Sequence, residues 1–316
     1  MSDSRLLIHI GYQKTGSTWL QHTVFDDKNT GFMRPWTSQS DIGGADKVID
    51  QFIITNAFRF DPKLIRKIFE PGIQLAIEQD GVPVLSEEVL VGDHIHGKYW
   101  GKEVADQLHA VFPEALILIF IREQKSLVKS SYGQYLRAGS AATIQRYIGS
   151  AGTLMPGFGA ICQLDYLEYD LLIEYYQNLF GRENVLVLPF ELLKKDQQTV
   201  AKRIISFAGS KGTFRNLQTS ARNVGFKGAT FSVRRNLNIF CAPVDSYGGS
   251  RVPLTWRIAN KLSSVIDRVI PQSIHKRAGE QLDRLIADGV TDYFRESNQR
   301  TSHLIGINLA DLGYDC

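Results

Sequence analysis

The sequence predicts a single α/β domain in which a central parallel β-sheet is flanked by helices. Short apolar runs, typical of buried strands, recur over the first two thirds of the chain, and stretches of helical periodicity separate them. Such alternation is typical of βαβ units. A glycine-bounded loop follows the first run and opens a helical pattern, which indicates a P-loop-like strand–loop–helix unit.

Four apolar runs are predicted to be the strands of this sheet. They lie at 5–10, 82–85, 116–121 and 184–189. The first run leads into the loop 11–16 and a helical pattern over 17–25. Amphipathic stretches at 99–112 and 166–180 precede the third and fourth runs, as expected where helices connect parallel strands.

The whole chain, 1–316, is predicted to form one domain, because no Pro/Ser-rich linker divides it. We expect its core over 1–209, and a lid loop with a C-terminal helical extension over 210–316. The segments 138–159 and 209–249 are expected to be irregular, and long irregular segments are functional lids or disordered. Helical patterns follow at 256–270, 272–287 and 291–304.

Composition excludes several classes of protein. Lys and Arg number 36 against 33 Asp and Glu, a net charge of +3, so the chain as a whole is not a nucleic-acid-coating protein. The longest apolar run, 115–121, is far shorter than the roughly 20 residues of a membrane span. We expect no integral membrane segment and no secretory signal. Three widely spaced cysteines, Cys162, Cys241 and Cys316, agree with a reducing cytoplasm.

The loop after the first strand, GYQKTGSTW at 11–19, is the most informative segment. A turn that opens a helix presents backbone N–H groups and the positive end of the helix dipole to an anion. Gly11 and Gly16 have the spacing of the Walker A glycines, but Ser17 stands where the lysine belongs and the lysine is Lys14. We predict an anion held by Lys14, Ser17, Thr18 and loop amides. The alternative is an ordinary strand–helix turn.

The third strand ends in Arg122, and Ser130 follows eight residues later on a helical stretch. A Walker NTPase places an Asp on such a strand to hold Mg²⁺. Arginine binds no metal but can bind a phosphate through two parallel N–H groups. Ligands in this type of fold sit at the carboxyl ends of the strands, where Arg122 is expected. The alternative is an ion pair between Arg122 and Glu123 or Glu114.

Together the two motifs resemble those of sulfotransferases that use 3′-phosphoadenosine 5′-phosphosulfate (PAPS), and 121–124 with 130–132 resembles the bacterial branch. The resemblance runs from about 6 to 209, including the later strand and acidic turn at 185–193. The segment that resembles the family's 5′-phosphosulfate loop is Lys14-Thr15-Gly16-Ser17-Thr18-Trp19. Arg122 and Ser130 match its 3′-phosphate motif, and Lys227-Gly228 is the closest match to its late loop over that phosphate. Phe190 departs from the family's tyrosine.

The resemblance implies in-line transfer of a sulfuryl group from PAPS, with no required metal, to a hydroxyl of a small-molecule, lipid or carbohydrate acceptor. Lys14 is the candidate for stabilising the leaving phosphate oxygen. Glu88, at the end of the second predicted strand, is the preferred general base, and Glu87, His94 and His96 remain open. A helix-capping role is the alternative for either glutamate. The pair His94 and His96 lacks a third ligand, so no metal is assigned.

Two other functions remain open. One is a P-loop kinase that uses ATP and Mg²⁺, against which the displaced Lys14 and the arginine-ended strand weigh. The other is a non-catalytic nucleotide-binding protein. The sequence predicts neither the acceptor nor the oligomeric state. Apolar residues in the two irregular segments would make part of the acceptor pocket apolar, namely Met155, Phe158, Phe226 and Phe231.

Overall fold

The computed structural model describes residues 5–36, 46–149, 159–215, 225–240 and 254–316. Its strands are β1 Leu7–Gly11, β2 Phe32–Met33, β3 Val82–Ser86, β4 Leu116–Ile121 and β5 Val185–Pro189. They form one parallel sheet in the order β2-β3-β1-β4-β5. The predicted α/β class with a parallel central sheet is therefore confirmed.

The edge strand β2 was not predicted from the sequence. It pairs with the start of β3 through Phe32 opposite Val82 and Met33 opposite Pro83. Two residues are too few to show either alternation or an apolar run, so no local pattern marks this strand. The four predicted strands are all present.

The apolar character of the central strands follows from burial on both faces of the sheet. Every residue of β1 and β4 is buried. Successive side chains point to opposite faces, so Ile8 and Ile117 pack in one core layer while Leu7 and Leu116 pack in the other. Helices cover each layer, as all-parallel sheets require.

The helices largely follow the predicted pattern. They are α1 Ser17–Trp19, which continues as a π-helical turn over Leu20–Phe25, α2 Asp46–Ile49, α3 Pro62–Glu78, α4 Gly101–Val111, α5 Gln124–Arg137, α6 Ile144–Ile148, α7 Tyr169–Phe180, α8 Phe190–Lys195, α9 Gln197–Phe207, α10 Gly228–Asn238, α11 Leu254–Val269, α12 Gln272–Val290 and α13 Arg295–Ile305. The expectation of irregular structure was wrong for α6 within 138–159 and for α10 within 209–249.

Tertiary hydrogen bonds explain why α10 forms from a polar sequence. Arg234, which is fully buried, donates from Nε to the carbonyl of Leu136 at 3.3 Å and from Nη2 to that of Arg137 at 3.2 Å. Asn238 also donates to Leu136, and Trp256 of α11 donates to Arg137, each at 2.7 Å. These donors satisfy carbonyls that the end of α5 leaves without helical partners. The same bonds hold α10 and α11 against α5.

The C-terminal helices are tied to the sheet layer through buried polar contacts. Asp170 of α7 accepts hydrogen bonds from Ser297 and, at 2.5 Å, from Arg300 of α13. Gln124, at the start of α5, donates to Asn298 at 2.7 Å. Because buried polar groups are costly without partners, these bonds fix α13 beside the first turn of α5.

Candidate active site

A cavity of about 1100 Å³ opens at the carboxyl ends of the strands. The loop after β1, the end of β3, helix α5, and residues from α8, α10 and α12 line it. This is the edge at which parallel α/β sheets bind ligands. Of the residues predicted for the site, those that line the cavity are Lys14, Gly16, Ser17, Thr18, Trp19, Glu88, Arg122 and Ser130.

The loop after β1 has a backbone that only some residues tolerate. Lys14 has a φ of 72° and Gly16 a φ of 105°, both in the left-handed region that favours glycine. The positive φ favours glycine at position 16, and a Cβ there would also lie 2.9 Å from a side-chain carbon of Leu193. The carbonyl oxygen of Gly16 accepts hydrogen bonds from the backbone N–H groups of Trp19 and Leu20 in the first helical turn. The loop thus turns directly into α1.

Thr15 is the one residue of the predicted 5′-phosphosulfate loop whose side chain turns away from the cavity. It is fully buried, and its hydroxyl donates to the carbonyl of Tyr12 at 2.6 Å. Its side chain therefore tightens the loop instead of facing a ligand. The loop residues that line the cavity are Lys14, Gly16, Ser17, Thr18 and Trp19.

Arg122 joins the two predicted anion motifs. Its Nη1 donates to the carbonyl of Lys14 at 2.9 Å, and its Nε donates to the hydroxyl of Ser126 at 2.8 Å. The guanidinium carbon lies 5.1 Å from the centre of the Phe190 ring. Within the described ranges Arg122 forms no ion pair with Glu123 or Glu114, which the sequence left open. Phe190, which stands where the resembling sequences have a tyrosine, thus contacts the Arg122 guanidinium with its ring.

The acidic turn after β5 holds the start of α5. Glu191 accepts from the backbone N–H of Glu123 at 3.2 Å and from the hydroxyl of Tyr314 at 2.9 Å. Glu123 in turn caps α5 by accepting from the N–H groups of Lys125 and Ser126. Since Arg122 precedes this cap, the turn fixes where its guanidinium points.

Helix α5 presents more residues to the cavity than were predicted from the sequence. Beyond Ser126 and Ser130, it brings Lys129, Gly133 and Arg137 to the cavity at steps of three or four residues. Arg137 could have been predicted from the sequence, because it lies seven residues, about two helical turns, after Ser130. Its guanidinium lies 4.3 Å from the centre of the Phe226 ring, a cation–π contact. Burial lowers the pKa of Arg137 from its ordinary value.

Glu88 lies beside both the loop and Lys14. It lies two residues after the end of β3, and its Oε2 accepts a hydrogen bond from Ser17 Oγ at 2.5 Å. Burial raises the pKa of the Glu88 carboxyl above its ordinary value, although the Ser17 hydrogen bond and the positive charge of Lys14 oppose the rise. Burial and Arg137 lower the pKa of Lys14 from its ordinary value, and Glu88 opposes this. The two groups are therefore electrostatically coupled.

The other candidate bases lie outside the cavity lining. Glu87 is next to Glu88, and burial together with the charge of Glu88 raises its pKa to about 7. His94 is fully buried, with Nε2 at 2.8 Å from Ser131 Oγ, and burial lowers its pKa to about 4. His96 is paired with Asp93 at 2.8 Å. Of the four residues left open, Glu88 alone lines the cavity.

Replacing His94 with glutamine is expected to destabilise the protein without removing catalysis. Loss of its contacts with Ser131 and Tyr12 should lower the free energy of unfolding by about 1–3 kcal/mol, while kcat stays within a few-fold. Because the pKa of His94 is lower in the folded protein, the unfolded chain takes up the proton at a higher pH. The free energy of unfolding therefore falls as the pH drops from about 6.5 to about 4. The substitution should flatten that acid slope in pH-dependent denaturation. Loss of turnover with unchanged stability would instead identify His94 as the base.

Lys227 and Gly228 do not lie at the cavity. Lys227 donates from Nζ to the carbonyl of Asp267 at 2.9 Å. A Cβ at Gly228 would lie 2.2 Å from the carbonyl oxygen of His275, so this glycine allows α10 to pack on α12. Their role over the 3′-phosphate stays a prediction from the resemblance. The neighbouring Gly225 and Phe226 do line the cavity.

The apolar side of the cavity comes in part from the residues expected. Phe226 and Phe231 line it, together with Ile286 of α12. Met155 and Phe158 lie outside the described residues. His22 and Asp283 also line the cavity and were not predicted from the sequence; Asp283 forms an ion pair with Lys129.

Within the described part of the chain, no helix is long and apolar enough to cross a membrane. Over the same residues, no cluster of three or more His, Cys, Asp or Glu side chains is arranged to hold a metal ion.

Solved structures similar to this chain include a sulfotransferase from Alicyclobacillus acidocaldarius, with a TM-score of 0.52, 14% sequence identity and coverage of 99% of both chains. This chain has a sulfotransferase fold. A mouse sulfotransferase complexed with PAP matches at 13% identity and a TM-score of 0.38, covering 94% of this chain and 89% of its own. A sulfotransferase domain from the curacin biosynthetic pathway matches at 13% identity and a TM-score of 0.40, covering 82% and 97%. No protein-family model and no curated protein sequence matches the chain.

Proposed function

We propose that this protein is a PAPS-dependent sulfotransferase that sulfates a hydroxyl of a small-molecule, lipid or carbohydrate acceptor. The observation that carries the proposal is the meeting of two anion motifs in one cavity, where Arg122 donates to the carbonyl of Lys14 and Glu88 lies against Ser17. A donor with two separate anionic groups fits two cationic centres that a hydrogen bond holds together. The carboxylate of Glu88, the third charged group of this arrangement, fits the role of a proton acceptor.

In the proposed binding mode the chain divides the donor between two elements. Lys14, Ser17, Thr18 and the N–H groups that open α1 hold the 5′-phosphosulfate, with Trp19 alongside. Arg122 and Ser130 hold the 3′-phosphate. The cavity of about 1100 Å³ exceeds the roughly 300–1,000 Å³ of a typical single-ligand pocket, so there is room for an acceptor beside the donor.

The proposed reaction is an in-line displacement at sulfur. The acceptor oxygen forms the new S–O bond as the S–O bond to the 5′-phosphate breaks, and the acceptor proton passes to Glu88. Lys14 stabilises the charge that the departing phosphate oxygen gains. Arg137 lies close enough to lower the pKa of Lys14, so it adds positive potential where charge develops.

The direct test is turnover with radiolabelled PAPS and a panel of phenolic, lipid and sugar hydroxyls, with and without EDTA. A sulfotransferase should transfer label in both conditions. The competing kinase should transfer the γ-phosphate of ATP and stop on addition of EDTA, because Mg²⁺ holds its nucleotide. Specific binding of the nucleotide without transfer to any acceptor would support the non-catalytic protein. The position of Ser17 and the arginine at the end of β4 weigh against the kinase.

Replacing Ser130 with alanine is expected to weaken binding of 3′-phosphoadenosine 5′-phosphate by about 10- to 100-fold and leave that of adenosine 5′-phosphate unchanged, since a hydrogen bond to a charged group contributes about 1.5–3 kcal/mol. Arg122→Ala should weaken both nucleotides, and the 3′-phosphorylated one more, because Arg122 also holds the Lys14 carbonyl. Calorimetry with both nucleotides makes the comparison. Equal losses for the two nucleotides in the Ser130 variant would contradict its assignment to the 3′-phosphate.

A further inference from the structure

Helix α11 carries an apolar stripe that faces away from the rest of the protein. Its members are Ile258, Leu262, Val265 and Val269, with exposed fractions of 49%, 43%, 53% and 73%. Their spacing of four, three and four residues places them on one side of the helix. The packed side is a different one, formed by Ala259 and Ser263, which are buried. Packing within the described chain therefore does not account for the stripe.

Further exposed apolar side chains lie near both ends of α11. Helices α10 and α11 are antiparallel, because Thr230 and Lys227 at the start of α10 bond to Asp267 near the end of α11. The end of α10 accordingly lies near the start of α11, and there Ile239 and Phe240 are 66% and 84% exposed. At the other end, Ile274 opens α12 with 52% exposed.

A row of cations runs beside the apolar stripe. Arg257, Lys261 and Arg268 are exposed, and their spacing of four and seven residues places them on one side of α11. The acidic residue of α11, Asp267, is bonded to α10 through Thr230 and Lys227. The outer surface of α11 therefore combines apolar side chains with three positive charges that no carboxylate of the same helix neutralises.

We propose that α11 docks on an anionic lipid surface, with the apolar stripe in the headgroup boundary and the cations beside it at the phosphates. Apolar and basic stripes side by side are typical of interfacial helices. Charge complementarity favours this occupant over a second copy of the chain. A two-fold contact of antiparallel helices through the same stripe would bring the two rows of cations to the same side of the contact, and like charges repel. The inference does not depend on the proposed reaction.

Flotation of the full chain with vesicles of phosphatidylcholine, with or without a minority of phosphatidylglycerol, tests the proposal. We expect flotation with the anionic vesicles and its loss at high salt. The double variant Val265→Ser, Val269→Ser should reduce the partition coefficient about tenfold or more. Lys261→Gln with Arg268→Gln should reduce it by a similar factor on anionic vesicles alone. Matched controls on the exposed surface of α3, Leu64→Ser and Lys63→Gln with Lys67→Gln, should have no effect.

Three results would overturn the proposal. The first is failure of the wild-type chain to float with anionic vesicles. The second is equal flotation of the stripe variants and the control variants. A dimer that sedimentation detects in the wild type and not in the Val265, Val269 variant would assign the stripe to a second copy. If the serine variant has a lower melting temperature than the wild type and the wild type does not float, other residues of the same chain cover the stripe. The glutamine variant changes only exposed side chains, so it tests the charge contribution even where the serine variant unfolds.

Discussion

Replacing Lys14 with alanine is expected to lower kcat about 10²–10³-fold, the usual cost of one contact to developing charge. Binding of 3′-phosphoadenosine 5′-phosphate should change much less. The ammonium matters most when the departing phosphate oxygen gains charge, and Lys14 lies in the cavity beside Glu88. Single-turnover kinetics and calorimetry on the same preparations separate the two quantities.

The backbone at Lys14 supplies a matched control. With a φ of 72°, an alanine there keeps the strain of the left-handed region, whereas a glycine removes it. If the loss of turnover comes from the ammonium, Lys14→Gly and Lys14→Ala should be equally slow. Recovery of turnover in the glycine variant would show that loop conformation, not the charge, was lost. Near-normal turnover in both variants would remove Lys14 from the mechanism.

Replacing Glu88 with glutamine is expected to reduce transfer about 10²–10⁴-fold, the usual contribution of a general base, while donor binding is retained. Glutamine keeps the size and can still accept from Ser17, but it cannot take up the acceptor proton. Glu87→Gln is the neighbouring control and should be active, because Glu87 does not line the cavity. Full activity of Glu88→Gln would contradict its role as base.

The pH profile tests the same assignment independently. A base works when ionised, so kcat/KM should fall as the pH drops through the pKa of Glu88, and burial places that pKa above the ordinary carboxyl value. Ser17→Ala removes a donor that stabilises the carboxylate, so the acidic limb should move to higher pH. In Glu87→Gln the limb should stay where it is, even though the pKa of Glu87 is raised to about 7. If the acidic limb shifts in Glu87→Gln and stays in place in Ser17→Ala, the group that titrates is the carboxyl of Glu87 and not that of Glu88.

Local patterns were sufficient for the α/β class and for four of the strands. They also marked the two anion motifs, whose roles stay predictions. Burial on both faces makes β1 and β4 continuously apolar, and that signal is readable from the sequence. Glycine spacing and a strand that ends in Arg122 are equally local. Strand β2 and helix α10 escaped prediction because their stability comes from partners far along the chain. β2 pairs with β3, and α10 is held through Arg234 and Asn238 to the end of α5.

The grouping of side chains in space required the tertiary structure. Among the four residues left open as base, charge and position along the chain could not separate Glu88 from His94. Packing brought Glu88 to Ser17 at the cavity and buried His94 against Ser131. Arg137 entered the site because α5 turns one face to the cavity. Lys227 matched a motif, yet it binds Asp267. A residue type indicates which chemistry is available, whereas burial and neighbouring groups decide which side chain can use it, because they set both its pKa and its access to a ligand.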